Sequence, residues 1–365
     1  MKWSWRLGEY AGIAVYMHAT FLLLIAWVAI SHLASGDTLR GALGGIAFIL
    51  ALFGCVLLHE FGHALAARRY GIKTRDITLL PIGGVARLER MPDDPRQELV
   101  VALAGPAVNV VIAAALLIWL IVTSTLSPFG SVGVASGPFI ERLLIVNVIL
   151  VLFNMIPAFP MDGGRVVRAL LAMRMEYTRA TQTAANLGQG LAMLFGLFGL
   201  LTGHFMLLFI AFFVWIGAAQ EASMVQMKSA LGGIPVSRAM LTNFETVSPT
   251  DPLQKPVDLL LQGFQQDFPV LWGNELIGVL TRSDLISGLS QRGPNATVQE
   301  VMRRDFQIAD PHDMLETAFM RLQECQCHTL PVVRSGEVVG LLTSDNLGEF
   351  MMVQSALAAR PGSAG

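Results

Sequence analysis

The residues with the clearest chemical meaning are two histidines and a glutamate, spaced as His59-Glu60-Phe61-Gly62-His63. On a helix, side chains four residues apart lie on one face, so both imidazoles can bind a single metal ion. Zinc is the expected ion, and Glu60 beside it is the expected base that accepts a proton from water. The pattern predicts one zinc ion per chain and a hydrolytic reaction.

A third zinc ligand must come from elsewhere, because catalytic zinc usually has three protein ligands and one water. Asp162 is the acidic residue at the end of a later apolar segment, just after Pro157 and Pro160. The two prolines predict a broken helix there, with backbone that lines a polar cavity. Asp162 could instead cap the helix that follows. The His-Glu-x-x-His pattern favours its role as the third ligand.

The composition of the chain is typical of a membrane protein. It has 365 residues, of which 53% are hydrophobic and 14% charged, whereas soluble domains are about 25% charged. The net charge of −2 argues against nucleic-acid binding. We therefore expect an α-helical polytopic membrane protein. Stretches free of charged residues predict six transmembrane helices in a lipid bilayer, at about 11–33, 42–66, 99–122, 142–162, 184–201 and 204–222.

The basic residues predict the orientation of these spans. They concentrate before the first span, between the second and third, after the fourth and after the sixth. This distribution places both termini in the cytoplasm of a prokaryotic cytoplasmic membrane. Within 71–98, on the same side, Gly83-Gly84 at a turn position predicts a short β-hairpin.

An internal repeat occupies the C-terminal third. Residues 268–270 (Phe-Pro-Val) recur 62 positions later as 330–332 (Leu-Pro-Val), and 278–285 recur as 340–347. The repeat predicts a second, α/β domain. We expect a membrane domain over 1–228, two repeats within 229–352 (about 235–290 and 297–350), and a disordered tail over 353–365.

Three motifs of the membrane part resemble those of the site-2 protease family: residues 59–63, residues 104–109 (Ala-Gly-Pro-Ala-Val-Asn) and residues 154–163. The resemblance implies an intramembrane zinc metalloprotease. It would hydrolyse peptide bonds within or near transmembrane segments of substrate proteins, in regulated intramembrane proteolysis. It further implies that Asn154 binds the substrate strand or the oxyanion, and that the Gly83-Gly84 hairpin lies near the substrate.

The repeated part resembles a tandem pair of cystathionine-β-synthase-type (CBS) domains. Such pairs often bind AMP or ATP between the repeats and associate into homodimers. The family pattern ends its second strand with Thr or Ser, two residues, then an Asp that accepts hydrogen bonds from ribose. Thr281 and Asp284 match this pattern, whereas Asn346 replaces the aspartate in the second repeat. Asp284 could alternatively serve only to cap its helix.

Two other functions fit parts of the sequence. A CBS-gated transporter or channel predicts a polar path across the bilayer, but the polar groups here gather at the second and fourth spans. A binding scaffold without activity is disfavoured by the intact zinc motif. His18 is interpreted as a polar packing or cavity residue and Cys55 as a packing residue. Cys325 and Cys327 are expected to be core or surface thiols and not a metal pair, because no further Cys or His pair completes four ligands.

Overall fold

The computed structural model describes residues 3–36, 38–81, 83–92, 94–125, 133, 137–263, 265–325 and 327–358. The chain divides into two compact units, Met1–Val225 and Gln226–Gly365. Helices dominate the first unit: α1 (Thr20–Ala34), α2 (Leu39–Arg69), α3 (Pro95–Val122), α4 (Phe139–Asn154), α5 (Asp162–Ala172), α6 (Tyr177–Thr202) and α7 (Phe205–Leu231), whose last residues belong to the second unit.

Four of the helices in the described part of the chain are long and apolar enough to cross a bilayer, namely α2, α3, α6 and α7. The predicted first span, 11–33, needs correction because residues 13–18 form a strand and α1 has 15 residues. That length corresponds to about 22 Å, which is shorter than the roughly 30 Å of hydrocarbon. The predicted fourth span, 142–162, is also interrupted, because α4 ends at Asn154 ahead of Pro157.

A mixed four-stranded sheet belongs to the same unit. Its strands are β1 (Ser4–Tyr10), β2 (Ile13–His18), β3 (Thr74–Leu80) and β4 (Gly83–Leu88), in the order β1-β2-β3-β4. β2 and β3 are parallel, while the two outer pairs are antiparallel. The predicted hairpin is therefore present, but Gly83 and Gly84 open its second strand instead of forming the turn. β4 is an edge strand, paired with a neighbouring strand on one side only.

The second unit contains the repeat as two similar halves. The first half has α8 (Gln254–Gln262), β5 (Phe268–Trp272), β6 (Glu275–Leu280) and α9 (Arg282–Arg292). The second half has α10 (Leu315–Cys325), β7 (Thr329–Arg334), β8 (Glu337–Thr343) and α11 (Ser344–Ala358). Each strand pair is an antiparallel hairpin over a buried apolar cluster. The hydroxyl of Thr329 donates to Asp267, which lies one repeat earlier in the chain, at 2.7 Å.

Two predictions on this unit change. Helix α11 continues to Ala358, so residues 353–358 of the predicted disordered tail are helical, and residues 359–365 lie outside the described residues. Cys325 and Cys327 form a disulfide in the structure instead of remaining thiols. Cys55 is a buried free cysteine in the first unit, where the side-chain amide of Asn147 contacts its sulfur.

Candidate metal centre and ligand clefts

Three buried side chains converge at one point in the first unit. His59 Nε2 and His63 Nε2 lie 3.1 Å apart, and Asp162 Oδ2 lies 3.2 Å from each. These atoms form a group that could hold a metal ion. Two ligands of a tetrahedral zinc, each 2.0–2.1 Å from the ion, are about 3.3 Å apart. The spacing and the two-nitrogen, one-oxygen donor set therefore fit zinc with one position left open.

Hydrogen bonds orient both imidazoles toward this point. His63 Nδ1 donates to the carbonyl of Val101 at 2.7 Å, and His59 Nδ1 donates to Asn109 Oδ1 at 2.5 Å. The side-chain amide of Asn109 donates in turn to Asn147 Oδ1 at 2.8 Å, which identifies the Asn109 oxygen as the acceptor for His59. With Nδ1 carrying the hydrogen, each Nε2 is left with its lone pair free for a metal.

Gly105 of α3 provides the space in which the two nitrogens meet. A Cβ added at this position would lie 2.2 Å from His63 Nε2 and 2.7 Å from His59 Nε2. Any side chain at residue 105 would therefore occupy the place of an ion. No site role was predicted for Gly105, Asn109 or Asn147. The signals available were the motif over 104–109 and two asparagines in charge-free segments.

Asp162 reaches the cluster because the chain turns sharply between α4 and α5. A Cβ at Gly163 would lie 2.3 Å from the carbonyl oxygen of Ile156, and one at Gly164 would lie 2.5 Å from the nitrogen of Phe159. Only glycine fits at these two positions. The segment 155–161 and the first turn of α5, which begins with Asp162, are thus packed tightly against each other.

Glu60 lies beside the histidines on α2 and contacts strand β4. The backbone N–H of Ala86 donates to Glu60 Oε2 at 3.1 Å, and a Cβ at Gly84 would lie 2.7 Å from Glu60 Cγ. Arg87 fixes β4 to β3, because its Nε donates to Asp76 Oδ1 at 2.8 Å. The pairing with Asp76 raises the pKa of Arg87. The edge strand therefore lies directly against the candidate base.

Asn154, the remaining predicted residue of this site, is the last residue of α4 and is half-buried. In the described part of the chain, no hydrogen bond joins its side chain to the His-His-Asp cluster. His18 accepts a hydrogen bond from the Thr20 backbone N–H at 3.3 Å at the start of α1, in agreement with a local packing role.

The repeat creates two equivalent clefts in the second unit. One has a volume of about 390 Å³ and is lined by Thr281, Ser283 and Arg303, among others. The other, of about 1030 Å³, is lined at the matching positions by Thr343, Asp345 and Leu241. Cavities of this size are typical of small-molecule sites.

Asp284, beside the smaller cleft, accepts hydrogen bonds from other side chains of the protein. Arg303 Nε donates to Asp284 Oδ2 at 2.5 Å and its Nη2 donates to Oδ1 at 3.2 Å. The Thr281 hydroxyl donates to the same carboxylate and accepts from the Asp284 backbone N–H, so Thr281 also caps α9. Bonding to Asp284 raises the pKa of Arg303. In the larger cleft Leu241 replaces Arg303, and Asn346 replaces the aspartate.

Comparisons with known proteins agree with this architecture. The model of peptidase family M50 matches residues 47–137 and 130–197, and the CBS domain model matches 236–291 and 298–352. A zinc metalloprotease of Methanocaldococcus jannaschii, MJ0392, is 31% identical over 97% of both chains. The CBS domain-containing protein YhcV of Bacillus subtilis is 29% identical and covers 32% of this chain and 85% of its own. The solved site-2 protease from Methanocaldococcus jannaschii is 37% identical, covers 60% of this chain and 95% of its own, and gives a TM-score of 0.45.

The fold and the relatives define a membrane metalloprotease that carries a CBS pair. The chain belongs to peptidase family M50, the site-2 protease family, and is a zinc metalloprotease. The prediction of an enzyme is thereby confirmed over that of a CBS-gated transporter, and the predicted pair of CBS domains is confirmed as well.

Proposed function

We propose that His59, His63 and Asp162 hold one catalytic zinc ion per chain and that Glu60 is the general base. The observation that carries the proposal is the convergence of three buried donor atoms within 3.2 Å of one another. Buried ionisable groups of this kind within membrane segments are costly to keep and mark functional sites.

Zinc bound at this place would supply a Lewis acid that polarises the scissile carbonyl. Glu60 follows His59 on α2. It can take a proton from the attacking water while the oxygen of that water bonds to the carbonyl carbon. The same carboxyl group then delivers that proton to the leaving nitrogen as the C–N bond breaks. The family resemblance assigns to Asn154 the donation of a hydrogen bond to the oxyanion or the substrate strand.

The proposed substrates are membrane proteins whose transmembrane segments unwind locally. A peptide bond inside an intact helix is covered by side chains and already hydrogen-bonded. β4 is an edge strand that touches Glu60, so a substrate segment that pairs with β4 would lie over the base. Replacing the helix-breaking residues of a substrate by leucine should therefore stop its cleavage, and unchanged cleavage would contradict this mode of capture.

Zinc content and cleavage of single-span reporter proteins by the purified full-length chain test the proposal. The Glu60→Gln variant is expected to keep one zinc per chain and to cleave about 100- to 10,000-fold more slowly. Glu89→Gln, which changes an exposed carboxylate after β4, serves as the matched control. Zinc-dependent cleavage that persists in Glu60→Gln would reject Glu60 as the base, and absence of zinc from the parent protein would reject the whole site.

The proposal also covers regulation, because the CBS pair offers two clefts of ligand size. We place an adenine nucleotide, AMP or ATP, at Thr281 and Asp284, with the Asp284 carboxylate accepting from the ribose hydroxyls. Arg303 now occupies both oxygens of that carboxylate, so binding there requires Arg303 to move aside or to turn toward the phosphate.

We also propose an orientation in the membrane and an oligomeric state. The basic loops favour a prokaryotic cytoplasmic membrane with both termini in the cytoplasm. Pairing of two chains through their CBS domains is proposed from the family resemblance. Protease accessibility of tagged termini in oriented vesicles and the mass of the detergent-solubilised protein test these two points.

A further inference from the structure

Arg168 is the largest fully buried side chain in the described part of the molecule, with 1% of its surface exposed. It lies on α5, the short helix that begins with Asp162. A buried guanidinium is costly unless it is paired and hydrogen-bonded, so its surroundings show what this position does.

Its partners come from two other helices. Arg168 Nε donates to Glu98 Oε1 of α3 at 2.8 Å, and Glu98 is itself fully buried. Arg168 Nη1 donates to Glu221 Oε1 of α7. One rigid guanidinium thus bridges two carboxylates, a geometry that lysine cannot reproduce.

Two aromatic rings complete the enclosure. The guanidinium carbon lies 5.1 Å from the ring centres of Phe159 and Tyr177. Phe159 belongs to the segment 155–161, which the tight contacts at Gly163 and Gly164 join to the first turn of α5. Arg168 therefore links the segment before Asp162 to the helix that begins with Asp162.

Asp162 differs from the two histidines in the hydrogen bonds that orient its side chain. Each histidine of the cluster has a partner on its far nitrogen, namely Asn109 for His59 and the Val101 carbonyl for His63. In the described part of the chain, the Asp162 carboxylate hydrogen-bonds only to the two imidazoles. Its position must then be fixed by the helix that carries it.

We propose that Arg168 is the positioning residue for Asp162. By pairing with Glu98 and Glu221, it fixes the rotation and axial position of α5 between α3 and α7. Asp162 precedes Arg168 by six residues, or about 9 Å along the helix axis, so a small rotation at Arg168 moves the carboxylate relative to His59 and His63. The inference rests on the proposed metal site.

The test measures the metal site in folded full-length protein in detergent. Arg168→Lys and Arg168→Met are compared with the parent and with Arg174→Met, which removes an exposed arginine just after α5. Zinc affinity by chelator competition is expected to fall about 10- to 100-fold in Arg168→Met and less in Arg168→Lys, because residues that orient metal ligands have effects of this size. The visible absorption of the Co²⁺-loaded variants should also change, which a loss of global stability alone does not produce.

Unchanged zinc affinity together with an unchanged Co²⁺ spectrum in either folded Arg168 variant would overturn the inference. If neither variant folds, Glu221→Gln decides in the same way, because Glu221 is partly exposed and its replacement leaves the Arg168–Glu98 pair intact. A parent protein that binds no zinc would instead reject the proposed function, so the two failures are distinguishable.

Discussion

The backbone N–H of Ala86 donates a hydrogen bond to Glu60 Oε2 at 3.1 Å, linking the edge strand β4 to the candidate base on α2. Ala86 lies on β4, which pairs with β3 on one side and ends the sheet on the other. A substrate strand that adds to this edge would come next to the group that activates water. This contact would relate the proposed capture of a substrate strand to the proposed base.

Gly84→Val tests this contact. The new Cβ would lie 2.7 Å from Glu60 Cγ, so either the strand or the carboxylate must move. A displacement of about 1 Å can cost about 100-fold in rate. We expect reporter cleavage to slow by about that factor while zinc content stays at one per chain. Gly44→Val on α2, where a Cβ meets nothing within 4 Å, is the control and should cleave at the parental rate. Parental activity in Gly84→Val would show that β4 need not pack on Glu60.

Gly105→Ala should remove the metal. The added methyl group would lie 2.2 Å from His63 Nε2, in the space that an ion needs. We expect purified Gly105→Ala to contain little zinc by elemental analysis and to lack activity. Gly190→Ala on α6, where a Cβ meets nothing within 4 Å, should keep both. A full complement of zinc in Gly105→Ala would disprove the assignment of this space to the ion.

Asn109→Leu should weaken zinc binding without removing a ligand. The Nδ1–H of His59 loses its acceptor, and a buried donor is left unpaired. The expected loss is about 10- to 100-fold in zinc affinity, measured by competition with a chelator. Asn147→Leu, one hydrogen bond further from the cluster, should have a smaller effect. The order would be reversed, or the two effects equal, if helix packing alone explained the loss.

Asp284→Ala should abolish AMP binding to the full-length protein in titration calorimetry, because the ribose hydroxyls lose their acceptor. Asp258→Ala, an exposed aspartate on α8, is the control. If Asn346→Ala abolishes binding and Asp284→Ala does not, the ligand site is the larger cleft.

Arg303→Ala separates the two roles open to that arginine. Adenosine carries no phosphate, so it should bind more tightly once the Asp284 oxygens are released from Arg303. Calorimetry with adenosine on Arg303→Ala and the parent measures this difference. Weaker adenosine binding would mean that Arg303 holds Asp284 in its binding orientation.

Some features follow from local sequence because their physics is local. Four-residue spacing on a helix places His59 and His63 on one face whatever surrounds them. The repeat at 62 residues reports two similar units directly, and the contact of Asp267 with Thr329 is its structural counterpart. Proline and glycine around Asp162 likewise indicate a break in the helix before the fold is known.

Other features depend on chain segments far apart in sequence. Residues 13–18 are as apolar as a membrane helix, yet they form β2 because β3, about 60 residues later, supplies the parallel partner. The role of Gly105 exists only because α3 packs against α2 at the two imidazoles. Arg168 reads from the sequence as one of several basic residues after the fourth span. Only the meeting of α3, α5 and α7 shows that it is buried between two carboxylates.

The class of chemistry, the membrane setting and the two-part organisation could all be predicted from residue types and short spacings. Tertiary packing alone shows which helix carries each donor to the cluster, which strand faces Glu60 and which buried groups orient the ligands. These are contacts between segments whose separation in sequence carries no information about their distance in space.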